Sequence, residues 1–145
     1  MVDFILALLF GKTLLLTSQP IDVNSKYELI LEEPISAITT GATLRLEIPI
    51  KTFSSATRID EIHRAAESTF PSGSISAQLS QLHGGAAANF TYRGRSGKSG
   101  NETWLYLEAT EPVPERIDFD KLSLSSQSPL HQIRVYWRNS KQVGG

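Results

Sequence analysis

The stretch RIDEIHRAAE (residues 58–67) carries Asp60, His63 and Glu67 at spacings that place all three side chains on one face of a helix. Two carboxylates beside an imidazole are suited to holding a divalent metal or to general acid–base work, so a hydrolase or metal enzyme built on Asp60, His63 and Glu67 is one reading. The same stretch also reads as a solvated helix surface, with Asp60 and Arg64 forming an i,i+4 ion pair. No second cluster supplies further ligands. His83, before Gly84 and Gly85, and His131, at the start of a strand pattern, are the other imidazoles. No G-x-S-x-G elbow exposes a serine, and a triad assembled across the fold would show only in its geometry. The sequence therefore assigns no catalytic residue, no metal ligand and no cofactor.

A second candidate is GRSGKSG (residues 94–100), which contains the Gly-Lys-Ser of a phosphate-binding loop. That motif requires glycine where this chain has Tyr92, and a helix N-terminus where this chain has Asn101 and a strand pattern. The stretch reads instead as a flexible hairpin loop, and Arg93, Arg95 and Lys98 make it a candidate binding loop for an anionic surface. A third candidate is aromatic. Trp104 and Trp137, with Tyr106 and Tyr136, would form a platform for sugar rings if they shared an exposed face, so a carbohydrate-binding module using Trp104 and Trp137 is a further alternative; strand aromatics otherwise fill cores. Asn89-Phe90-Thr91 and Asn101-Glu102-Thr103 match the N-glycosylation acceptor pattern, which bears only on a eukaryotic secretory route.

These residues must be positioned by a domain whose class the composition bounds. A chain of 145 residues with 40% hydrophobic and 20% charged side chains has the make-up of one globular domain rather than of a disordered segment. Its 14 basic and 15 acidic side chains give a net charge of -1 and no field to attract a polyanion, which makes nucleic acid an unexpected partner. The absence of cysteine excludes disulfides, thiolate catalysis and Cys-ligated metals.

Period-two alternation dominates the chain. In TLRLEIPI (residues 43–50) Leu44, Leu46, Ile48 and Ile50 alternate with Thr43, Arg45, Glu47 and Pro49, and Pro49 marks an edge or the point where pairing stops. KYELIL places Tyr27, Leu29 and Leu31 on one side; HQIRVYWRN points Ile133, Val135 and Trp137 inward and Arg134 and Arg138 outward. ETWLYLEA suits a central strand covered on both faces. IDFDKLSLS changes phase between Phe119 and Leu122, which predicts a bulge near Asp120 and Lys121. With SISAQL and ANFTYR this gives about seven or eight short strands separated by turn signals. The exception is ATRIDEIHRAAESTF, where Ile59, Ile62, Ala65, Ala66 and Phe70 follow helical spacing behind Thr57, a candidate N-cap. The expected fold is a mainly β antiparallel sandwich of Greek-key or immunoglobulin-like form with one short helix. Residues 12–140 form that domain, residues 1–11 an apolar segment and residues 141–145 a flexible tail.

The apolar segment opens FILALLFGKTLLLT (residues 4–17). Leu, Ala and Phe favour helix locally, but the run is interrupted by Gly11 and Lys12 and falls short of the roughly 20 residues of a membrane span. As a secretory signal it lacks a basic start and an A-x-A site. Phe4, Ile5, Leu8, Leu9 and Phe10 are nevertheless too apolar to leave exposed, and define a docking segment for the domain itself, a second copy or a membrane. Thr13 to Thr17 then supplies the first strand. Cytoplasmic and envelope-associated locations fit the sequence equally. The function expected is a non-enzymatic interaction or structural module that binds a protein partner or itself.

Overall fold

The computed structural model describes residues 13–37, 42–49, 59–99 and 102–138. Its elements in chain order are β1 (Thr13–Leu15), β2 (Ile21–Val23), β3 (Lys26–Ile35), β4 (Thr43–Pro49), α1 (Ile59–Thr69), β5 (Ile75–Ser80), β6 (Ala87–Ser99), β7 (Glu102–Ala109), β8 (Phe119–Ser126) and β9 (Leu130–Arg138). All the strands hydrogen-bond antiparallel in the order β1-β9-β4-β7-β6-β5-β8-β3, with β2 pairing the same edge of β9 as β1.

The mainly β antiparallel fold with one helix is as the sequence suggested, in the form of one continuous curled sheet, a half-barrel; a two-layer Greek-key or immunoglobulin-like sandwich is not confirmed. Phe90 on β6 and Trp137 on β9 show the curl directly. In a flat sheet β4 and β7 would hold them about 14 Å apart at about 4.8 Å per strand, yet their ring centroids lie 6.2 Å apart, edge to face at 87°. The sheet twists until its inner face meets itself, so a single layer buries its own apolar side. Period two says that one face is dry; it does not say whether a second sheet or the far side of the same sheet keeps it dry.

The alternations are seen as expected. Leu44, Leu46 and Ile48 of β4, Ile133, Val135 and Trp137 of β9, and Leu122 and Leu124 of β8 are buried, while Arg45, Glu47, Arg134 and Arg138 lie on the outer phase. β7 is central, with Leu105 and Leu107 facing inward and Trp104 buried on the outer side. The phase change in β8 coincides with a register shift against β3, between Ile30↔Lys121 and Ile35↔Phe119. Helix α1 lies where the spacing placed it, and sets Ala66, with Phe70 just beyond its end, into the core. Thr57 lies outside the described residues. β4 is an interior strand between β9 and β7, so Pro49 marks the end of its pairing and no edge.

Among the described residues the sheet stays open along one seam. The free edge there belongs to β1 and β2 on one side and to β3 on the other, and the chain turns from β2 into β3 through Asn24 and Ser25, with Ser25 at φ 75°. These two arms form a wedge, closed at Ser25 and open towards Leu14 and Ile35.

Candidate functional site

The wedge is a groove of about 320 Å³ with walls formed by Leu14, Leu15 and Leu16 on one arm and Leu29, Ile30 and Leu31 on the other. A second hollow, lined by Thr17, Pro20, Ile21, Tyr27 and Leu29, continues it towards the closed end. Each arm is held to its outer neighbour. Leu16 N–H donates to Val135 O at 2.8 Å, and Val135 N–H donates to Thr17 Oγ1 at 3.3 Å. Asp22 Oδ1 accepts from the backbone N–H of Gln132 at 2.8 Å and from its side-chain amide at 3.2 Å. On the opposite arm Lys121 Nζ lies 3.5 Å from Glu28. Neither β1 nor β3 pairs with a described strand on its groove side, so among the described residues both walls present backbone donors and acceptors without a strand partner.

Two of the three exposed large hydrophobics among the described residues, Leu15 at 49% and Ile30 at 63%, stand on these walls. Sequence reasoning passed over both, although one signal was present. In KYELIL the inward phase is Tyr27, Leu29 and Leu31, and Ile30 stands with Glu28 in the wet phase, an unusual place for a β-branched apolar residue. Glu32 and Glu33 line the open end of the groove, and with Pro34 they limit further pairing along β3.

The residues singled out for chemistry are not gathered into one place. His63 Nδ1 meets Ser96 Oγ of β6 at 2.5 Å, which docks α1 on the sheet, and Glu67 is exposed farther along the helix near Gly94. The Asp60 side chain is outside what is described. His83 is exposed in the turn after β5, and His131 lies 3.9 Å from Asp22, so neither joins His63. Among the described residues no group of three His, Asp or Glu side chains could hold a metal.

The expected flexible loop at residues 94–100 is corrected by the structure. β6 runs on to Ser99 and pairs with β7 as far as Ser99↔Glu102, because a bulge at Arg93, Gly94 and Arg95 lets the ladder resume at Ser96↔Leu105. Gly94 takes φ 90° there, a conformation that disfavours a side chain. Arg95 lies 3.9 Å from Glu108 and stacks over Tyr106 at 4.8 Å, while Arg93 is exposed. The Lys98 side chain is outside what is described. The tryptophans are buried on opposite faces, so they form no shared platform. Trp137 is wholly inside, whereas Trp104 lies on the outer phase beneath the Arg45 guanidinium at 3.9 Å and against Tyr136 at 5.2 Å. Asn89 accepts a hydrogen bond from Gln78 on the outer face of β6, and Asn101 lies outside the described residues.

Two groups depart from their ordinary titration. The Gln132 backbone N–H and then its amide hold the Asp22 carboxyl below the usual carboxylate range, against an opposing effect of desolvation that exceeds the contribution of the nearby His131. Burial pushes the Tyr92 phenol up, with the Glu67 charge adding to it. Neither feature forms a reactive pair.

No family model, curated protein or solved structure matches this chain. The docking segment Phe4, Ile5, Leu8, Leu9 and Phe10 lies outside the described residues, and no described helix is long and apolar enough to cross a membrane.

Proposed function

We propose that this chain is a non-enzymatic interaction module whose β1–β3 groove accepts an extended apolar strand from a protein partner. The observation that carries this reading is the coincidence of two strand edges, unpaired among the described residues, with Leu15 and Ile30 exposed between them. Strand addition satisfies free backbone groups on the walls and covers alternate apolar side chains, which gives affinity and register together. Glu32 and Glu33 at the open end favour a partner strand that carries a lysine or arginine beside its apolar run.

The test uses a fluorescein-labelled peptide of alternating leucine and threonine ending in lysine, titrated into the full chain and followed by anisotropy. Covering Ile30 is worth about 1.5–3 kcal/mol, so Ile30→Glu should weaken binding by about tenfold or more. Leu15→Asp should act in the same direction, and both sites are exposed enough to keep the fold by circular dichroism. Backbone exchange at Leu15 and Ile30 should slow when the peptide is present. No binding, or binding indifferent to both substitutions, overturns the reading.

A further inference from the structure

We propose that the outer face of β9, β4 and β7 is a second binding site, independent of the groove, and that it takes single-stranded nucleic acid. Sheet pairing gathers on this face residues that lie far apart in the chain. Two cross-strand rows run side by side, Tyr136–Arg45–Tyr106 and Arg134–Glu47–Trp104. Arg138 stands opposite Thr43 at the next outward position of β9, and Arg95 of β6 lies over the Tyr106 ring at 4.8 Å. Arginines 45, 95, 134 and 138 thus interleave with three aromatic rings and meet the carboxylates of Glu47 and Glu108. The net charge of -1 is an average over the whole chain and gives no sign of this local excess of positive charge.

The arginines are held in position rather than neutralised. The Arg45 guanidinium lies 3.9 Å over the Trp104 ring and 5.8 Å from that of Tyr136, and its Nε is buried without a hydrogen-bond partner among the described residues. Glu47, the acid on the same strand face, is already engaged: it accepts from the Tyr136 hydroxyl at 3.0 Å and lies 3.8 Å from Arg134. The Arg134–Glu47 and Arg95–Glu108 pairs are long and their arginines exposed, so a phosphate can replace the carboxylate at little cost. A guanidinium held over a ring keeps its fork for bidentate bonds to phosphate oxygens. Tyr136 and Tyr106 flank Arg45 on the neighbouring strands, about 10 Å apart at about 4.8 Å per strand. Gly97, opposite Trp104, leaves room for Tyr106 on this face, since a Cβ there would meet the phenol oxygen at 3.2 Å. Phosphates bound to the arginines bring the unpaired bases of a single strand beside the tyrosine rings and guanidinium planes, the surfaces on which such bases stack. A duplex keeps its bases stacked inside, and a sulfated polysaccharide has no π face to offer.

The test is the anisotropy of a short fluorescein-labelled oligothymidylate titrated with the full chain at several salt concentrations. Contacts from four arginines predict an affinity that falls by about 50-fold between about 50 and 200 mM salt, and Arg138→Ala, with one contact fewer, should reduce that fall to about 20-fold. Arg138 and Arg95 are exposed, so alanine at either should keep the fold by circular dichroism and weaken binding. Tyr106→Leu should weaken binding by about fivefold or more at every salt concentration, because stacking is not screened. Arg45→Lys keeps the charge but loses the planar fork, and should weaken binding as well. Lys26→Ala, on β3 and outside this face, should leave binding unchanged. Absence of binding at the lowest salt overturns the proposal. Equal affinity for a duplex of the same length or for heparin, or binding indifferent to Tyr106→Leu and Arg45→Lys, assigns a general polyanion surface instead and overturns it too. Oligonucleotide and apolar peptide should bind the same molecule together, with Ile30→Glu acting on the peptide alone, so this site and the groove are refuted separately.

Discussion

Thr103→Val is expected to stabilise the protein. Thr103 is wholly buried on the inner phase of β7, opposite Ile48 of β4 and in line with Leu105 and Leu107. Its Oγ1 is buried with no hydrogen-bond partner among the described residues. A hydroxyl withdrawn from water without compensation costs about 1–3 kcal/mol. Valine keeps the β-branched shape that the strand prefers and puts a methyl group in the same space. A tight fit returns part of the gain, which leaves about 1–2 kcal/mol. At about 2–4 °C per kcal/mol for a chain of this size, the melting temperature should rise by about 2–8 °C. In urea the midpoint should increase with an unchanged slope, since the surface exposed on unfolding is the same. Thr103→Ser, which keeps the hydroxyl and removes the methyl, should lose about 1 kcal/mol. If Thr103→Val leaves the midpoint unchanged or lowers it, the hydroxyl has a partner in solution and the reasoning fails.

Tyr92→Phe removes another buried hydroxyl without a partner among the described residues, and should be neutral or stabilising at pH 7. Because the folded phenol is held above its unfolded value of about 10, wild-type stability is kept below that pH and lost above it, and the substitution should flatten the alkaline fall in urea midpoint. Asp22→Asn acts at the acid end: the folded carboxyl is depressed, so its contribution is present above about pH 4 and disappears as pH falls through the folded value. Midpoints of wild type and Asp22→Asn should therefore differ at pH 6 and converge towards pH 2. Phe90→Ala empties the contact with Trp137 that closes the curl, and should cost about 3–5 kcal/mol by urea unfolding, with a change in tryptophan emission. Gly94→Ala forces a side chain onto φ 90° at the β6 bulge and should cost about 1–2 kcal/mol in the same assay.

What the sequence alone determined is local. Alternation in TLRLEIPI, HQIRVYWRN and KYELIL identifies strands and which side of each is dry, because successive side chains on an extended backbone point to opposite faces. Helical spacing of Ala66 and Phe70 likewise identifies α1, and the phase change between Phe119 and Leu122 identifies the irregular pairing with β3. Ile30 in a wet phase was a visible anomaly, but its meaning was not, since an exposed isoleucine in one strand says nothing about which other strand faces it. Tertiary structure decided the rest. It brought β9 beside β4 and β8 beside β3, closed the sheet on itself through Phe90 and Trp137, and paired His63 with Ser96 instead of with another imidazole. It also turned residues 94–99 from loop into strand, because the bulge at Arg93, Gly94 and Arg95 lets the ladder resume at Ser96. The groove exists because, among the described residues, β1 and β3 each find a strand neighbour on one side only. Which strands end up as edges follows from long-range pairing across the whole chain, and no pattern within a single strand encodes it.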